Sequence, residues 1–170
     1  RGNSSKKKFK IHDSNKTVLL ALFKKIGCDV VDHGILKDDL LESKKRLFSC
    51  KGKNDLIITS GGISRSLIDK IGMVFEKNGE IGFWGLSAKP GRPFAFGKIN
   101  NVPFVGLPGN PVAAIITFFM LVIDFVKKIA GVKNFQLVER LLPSDFNLEK
   151  KIGRTEWIRG SIKTKKDVQS

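Results

Sequence analysis

The sequence predicts an α/β fold: a doubly wound, mostly parallel sheet, followed by the start of a small β segment. Two observations point to the α/β part. Helix-period and strand-period stretches alternate from residue 11 to residue 131. The run "DLIIT" at 55–59 is a short apolar stretch of the buried parallel-strand type and leads straight into a glycine turn. A third points to the β segment. Beyond Gly131 the pattern changes, and apolar and polar residues alternate more than they repeat at helical spacing. The expected units are therefore a basic polar segment at 1–10, an α/β domain at 11–131 and a β segment beginning at 132–170.

Each element has a local reason. "DSNKTVLLALFKKIG" opens on three good N-caps, Asp13, Ser14 and Asn15. Val18, Leu19, Leu22, Phe23 and Ile26 then recur at helical spacing, and Gly27 stops the run. "CDVVDHGI" at 28–35 reads as a short strand. "DDLLESKKRLFSC" reads as a helix with acids early and cations late, which suits the helix dipole. "SLIDKIGMVFEKN" is a further helix, and "GEIGFWGLSAKPG" a strand running into a stiff loop. "RPFAFGKINNVPFVGLP" reads as two strands joined at Asn100 and Asn101, residues that tolerate the positive φ of a tight hairpin. "NPVAAIITFFMLVIDFVKKIAG" is a strongly apolar helix, with Pro111 in its first turn and Gly131 as its stop.

Composition limits the function classes. The chain has 170 residues, 31 basic against 16 acidic, for a formal charge of +15. Such a field favours anionic partners without choosing among them. There is no RNA-binding aromatic signature, no zinc-finger spacing and no basic heptad, so a charge-driven nucleic-acid binder ranks last of three readings. The apolar run 112–123 is too short to span a bilayer, and no secretory signal opens the chain. Cys28 and Cys50 show no metal spacing and read as thiols of a reducing cytoplasm. His12 and His33 are likewise read as structural.

Three loops carry the candidate chemistry, because ligands of doubly wound sheets bind beyond the carboxyl ends of the strands. In "TSGGIS", Gly61 and Gly62 let the backbone approach a ligand, while Ser60 and Ser64 add hydroxyl groups. In "KPGRP", Pro90 and Pro93 stiffen a turn at Gly91, and Lys89 and Arg92 suit a phosphate or another oxyanion. In "GLPGNP", Pro108 and Pro111 stiffen the backbone, Gly109 relieves it and Asn110 caps the long helix. Each loop alone has an ordinary structural explanation; their convergence on one sheet edge favours a site. Asp38, Asp39 and Asp69 are candidate carboxylates, although either of the first pair also suits a helix cap.

"IHDSN", "LKDDL", "IITSGGIS", "GEIGFWGLSAKPGRPFAFG" and "GLPGNPVAA", in that order, resemble molybdopterin molybdotransferase, the MoeA family, whose eukaryotic counterpart is the E domain of gephyrin. The resemblance covers 11–131, with a weaker tail at "GRTEWIRG". It implies a molybdopterin-binding domain of the MogA/MoaB type. It also implies insertion of molybdate into adenylylated molybdopterin with release of AMP, in a cytoplasmic homodimer that uses Mg²⁺ and works with an adenylyltransferase of the same pathway. By the resemblance, Lys89 and Arg92 hold phosphate or molybdate oxygens, and Gly61, Gly62 and Ser64 cradle the ligand. Pro108 and Pro111 shape the wall, and Asp38 or Asp39 with Asp69 assists metal or substrate. No residue is assigned to the metal itself.

Departures from that pattern set a further expectation. The strand and acidic loop that the family places before "DSN" do not precede it here, which would leave a sheet edge open. Ser66–Leu67 stands where the family often has glycine–glutamate, and Gly85 where it often has lysine. The chain is thus expected to be a fragment of a longer protein or a diverged relative, with weak pterin binding and no molybdate insertion of its own. A binding or scaffold module of the same fold is the second reading.

Overall fold

The computed structural model describes residues 13–36, 39–64, 69–133, 139–150 and 152–163. The elements in order are α1 (Ser14–Lys25), α2 (Leu40–Phe48), β1 (Ile57–Ser60), α3 (Lys70–Asn78), β2 (Gly79–Trp84), β3 (Ala88–Lys89), β4 (Ala95–Ile99) and β5 (Val102–Leu107). Then α4 (Pro111–Thr117), a π-helical turn (Phe118–Val122) and α5 (Ile123–Ile129) run on as one rod, and β6 (Thr155–Glu156) follows far downstream.

The main sheet has the order β1-β5-β4-β2. β1 and β5 are parallel, whereas β4 runs antiparallel to both of its neighbours. The α/β architecture is thus built on a mixed sheet, because the Asn100–Asn101 hairpin turns β4 directly into β5. Both asparagines take positive φ, 52° and 68°, as a primed two-residue turn requires.

Side-chain alternation along the strands feeds two cores. Phe104, Ile57, Ile99 and Ala95 pack with Val74, Phe75 and Leu47 on the face covered by α2 and α3. Val105 and Leu107 pack with Leu19, Phe23, Phe118 and Val122 on the face covered by α1 and the long helical rod. Phe75 and Phe104 have ring centroids 4.6 Å apart, and Phe23 meets Phe118 edge-on at 5.0 Å. Truncating one such ring to Ala costs about 3–5 kcal/mol.

Helix ends follow the expected signals. Asp13 caps α1 by accepting from Lys16 N at 3.1 Å, and Gly27 leaves the helix at φ 85°. Asn110 caps α4 by accepting from Ala113 N at 3.1 Å. Gly131, at φ 79°, closes the rod with its N–H on Lys128 O.

One expectation is corrected. Residues 28–35 form no strand. Their alternation suits a strand, but a strand exists only against a partner, and here Asp32 breaks the run by folding back onto its own backbone. Its carboxylate accepts from Gly34 N at 2.8 Å, and Gly34 sits at φ 74°. An open groove of ≈ 950 Å³ is lined by this segment and by β1. Among the described residues β1 is paired on one side only. After residue 132 the strand present among the described residues is β6, which pairs with β3. Residues 139–150 carry none and leave Leu141, Leu142, Phe146 and Leu148 exposed.

Candidate functional site at one edge of the sheet

The strand registers put the three loops together. Ser60 is opposite Leu107, Ala95 opposite Gly106, and Trp84 opposite Ala95. The segments that follow Ser60, Trp84 and Leu107, and the one that precedes Ala95, therefore all leave the sheet at the same edge. Gly61 and Gly109 touch across it: a Cβ on Gly61 would lie 3.7 Å from the Gly109 Cα. Gly61 N also donates to Leu107 O at 3.0 Å.

A residue read from sequence only as a cap proves to be the clasp. Asn15 is buried in the first turn of α1. Its Nδ2 donates to Ser60 Oγ at 2.7 Å and to Gly109 O at 2.9 Å. Ser60 Oγ in turn donates to Pro108 O at 3.4 Å. The Asn15 Oδ1 is buried with no hydrogen bond among the described residues. The only sequence signal was an amide in a helix's first turn, which is equally well explained by capping.

The Lys89–Pro93 turn is held from three sides. The Lys89–Pro90 bond is cis. Arg92 O accepts from Leu86 N and Phe94 N, both at 3.0 Å, which closes the turn on itself. Gly91 is buried at φ 124°, where an added Cβ would sit 2.7 Å from Thr117 Cγ2 and 3.4 Å from the Trp157 ring. Thr117 is itself fixed, its hydroxyl donating to Ala113 O at 2.8 Å. Arg92 is exposed beside these packed neighbours, and Lys89 Nζ lies 3.6 Å from Glu156 Oε1.

The carboxylates are placed differently. Asp69 Oδ2 accepts from Ser64 N at 2.8 Å and from Ser64 Oγ, and so closes the loop between them. Asp39 caps α2, accepting from Glu42 N at 2.7 Å. Asp38, Ser66 and Leu67 lie outside the described residues, as does His12. Among the described residues no group of three His, Cys, Asp or Glu side chains converges as a metal site would require.

The groove beside β1 shares its upper end with this edge, since Ser60, Gly61, Gly62 and Asp69 line both. Lower down, Lys16 Nζ meets Asp32 Oδ2 at 2.7 Å. That bond, helped by Gly34 N, holds the Asp32 carboxyl below the usual carboxylate range. Burial raises both thiols, Cys28 and Cys50. Cys50 is buried and Cys28 half-buried, and the His33 Nε2 lies 3.9 Å from Cys50 Sγ.

Fold and edge together define an α/β domain with glycine-rich, cation-bearing loops gathered where such sheets take their ligands. More particularly, residues 5–128 match the family described as probable molybdopterin binding domain, and the chain belongs to that family. It is 40% identical over 151 residues to the molybdopterin molybdenumtransferase of Haemophilus influenzae, covering 88% of this chain and 37% of that protein. It is 32% identical over 146 residues to gephyrin of Dictyostelium discoideum, covering 71% of this chain and 20% of that one. The chain thus spans 37% and 20% of the length of these two relatives. Among solved structures it is similar to a molybdopterin biosynthesis MoeA protein from Pyrococcus horikoshii. That pair has a TM-score of 0.64 at 28% identity, covering 76% of this chain and 32% of that chain. A molybdenum cofactor biosynthesis protein B shares the fold at TM-score 0.54 and 16% identity, covering 75% of this chain and 89% of that one. No helix among the described residues is long and apolar enough to cross a membrane.

Proposed function

We propose that this chain supplies the pterin-phosphate and oxyanion side of a molybdate-inserting site in molybdenum cofactor biosynthesis. The observation that carries the reading is the convergence of the 60–64, 85–94 and 108–111 segments on one sheet edge, with Arg92 and Lys89 on a turn braced by Thr117 and Trp157. Adenylylated molybdopterin, AMP and molybdate are all anions. A pre-set cationic turn stabilises them without reorganising when they arrive. The arginine fork matches phosphate or molybdate oxygens in pairs. Gly61, Gly62, Ser64 and Gly109 let backbone and ligand meet closely, Ser60 adds a hydroxyl, and Pro90, Pro108, Asn110 and Pro111 hold the shape.

Catalytic roles for Asp38, Asp39, Asp69 and Lys89 belong to the same proposal. The engaged states of Asp39 and Asp69 favour binding over turnover by this chain alone. They also bear on Mg²⁺: the described carboxylates do not form a magnesium site by themselves. A homodimer, and delivery of substrate by an adenylyltransferase, complete the proposal.

The test is titration with AMP and with molybdopterin. The double variant Lys89→Ala, Arg92→Ala should bind at least about tenfold more weakly, since charge-assisted hydrogen bonds contribute about 1.5–3 kcal/mol each. Unchanged affinity in the double variant would remove the anion role of the turn.

A further inference from the structure

The two cations of the turn are not equivalent. Lys89 lies on β3, which pairs in parallel with β6, and the register sets Lys89 directly against Glu156. Their charged atoms are 3.6 Å apart. The pairing is backbone-fixed: Thr155 N donates to Ser87 O and Trp157 N to Lys89 O, both at 2.9 Å. Ser87 Oγ adds a bond to Gly153 O at 3.1 Å, across 66 residues of sequence. Arg92, by contrast, has no ion pair among the described residues.

We propose that Glu156 is a built-in counter-ion that weakens the hold of Lys89 on anions and leaves Arg92 as the main anchor. This rests on the anion-binding reading of the turn. An anion approaching Lys89 meets an ammonium already shared with a carboxylate, so attraction and repulsion largely cancel beyond the pair's own separation. At Arg92 no such cancellation occurs. The carboxylate is only partly exposed, with 26% of its side-chain surface open, and the β3–β6 ladder prevents it from drifting away. Glu156 is therefore a positioning residue: it acts on the ligand through Lys89. The device limits how tightly a product such as a nucleoside monophosphate is held, and so favours its release.

The experiment measures affinity for AMP and for molybdate at low salt, using the full chain. Wild type, Glu156→Gln, Glu156→Ala, Lys89→Ala, Arg92→Ala and the Lys89→Ala, Glu156→Gln pair are compared. Glu156→Gln keeps the backbone ladder, so folding is preserved, and Glu156→Ala provides a second neutral side chain. Either neutral variant should tighten binding about two- to fivefold, the range of partly exposed ion pairs. The gain should vanish when Lys89 is Ala, and should shrink at 1 M salt, where the screening length is about 3 Å. Arg92→Ala should weaken binding more than Lys89→Ala. A structural role for Glu156 would not produce that salt and Lys89 dependence. Unchanged or weaker binding in both neutral variants, or the same gain without Lys89, overturns the proposal. Binding in wild type that ignores Glu156 sinks this proposal alone; no binding by any variant sinks the anion site and the proposal with it.

Discussion

Asn15 donates to Ser60 Oγ at 2.7 Å, and the same amide nitrogen reaches Gly109 O at 2.9 Å. One side chain from the first helix thus ties together two loops that lie 45 and 94 residues further along the chain. The side chain is buried, so both bonds are shielded from competing water.

Asn15→Ala should therefore cost about 1–3 kcal/mol, because Gly109 O is left without that donor in a partly buried place. Asn15→Asp should cost more, since a carboxylate would face a carbonyl oxygen. Urea unfolding of both variants checks this. A loss under about 0.5 kcal/mol for Asn15→Ala, the size of an ordinary surface change, would show that the clasp is dispensable.

Gly91→Ala meets two obstacles at once. The φ of 124° disfavours any side chain, and the new Cβ would press on Thr117 at 2.7 Å. A loss of about 2 kcal/mol or more is expected, which lowers Tm by roughly 4–8 °C for a chain of this size. Thermal unfolding is the measurement, and the affinity for AMP should fall with it because the turn must shift.

Gly85 is not a lysine waiting to be restored. It sits at φ 98°, with its N–H on Phe94 O at 2.8 Å. Gly85→Lys should cost about 1–3 kcal/mol of stability through backbone strain. It should not raise molybdate affinity by more than about twofold, the gain open to one solvated charge. A tenfold gain at unchanged Tm would show that the turn accepts a side chain readily.

The Lys16–Asp32 bond carries a pH dependence with a definite sign. The Asp32 carboxyl is held low first by its hydrogen bond from Lys16, so its contribution to stability is complete above the ordinary carboxylate range. It is lost as pH falls below about 4, through the lowered value. Asp32→Asn should lose that contribution already at pH 7 and therefore show a smaller further loss on acidification. Stability of the two proteins measured between pH 2 and pH 7 decides it, and parallel curves would remove Asp32 from the acid response.

Where the sequence was legible, the physics was local. The Asn100–Asn101 turn, the Asn110 cap and the Gly27 and Gly131 stops each depend on one residue's backbone freedom or one side-chain acceptor. Burial of Leu19 and Phe23 follows from spacing alone. Illegible features needed a distant partner. Residues 28–35 alternate like a strand, yet pairing depends on what stands beside them, and Asp32 found its own backbone and Lys16 instead. Asn15 looked like a cap because its two partners are remote in sequence. Nothing local in the sequence marks Glu156, which gains its partner only because β6 sets it against Lys89. The candidate loops were visible as compositions; how their charges are balanced was not.

The one-sided pairing of β1 among the described residues has a consequence for how its backbone trades protons with water. In a parallel ladder, successive amides point alternately to the two sides of a strand. Every second amide of Ile57–Ser60 therefore faces β5 and is shielded, while those between face the ≈ 950 Å³ groove. Deuterium uptake along these four residues should alternate slow and fast, although Ile57 is buried. The strand next to the deepest core is thus half permeable, and its fast amides report directly on whether the groove is filled.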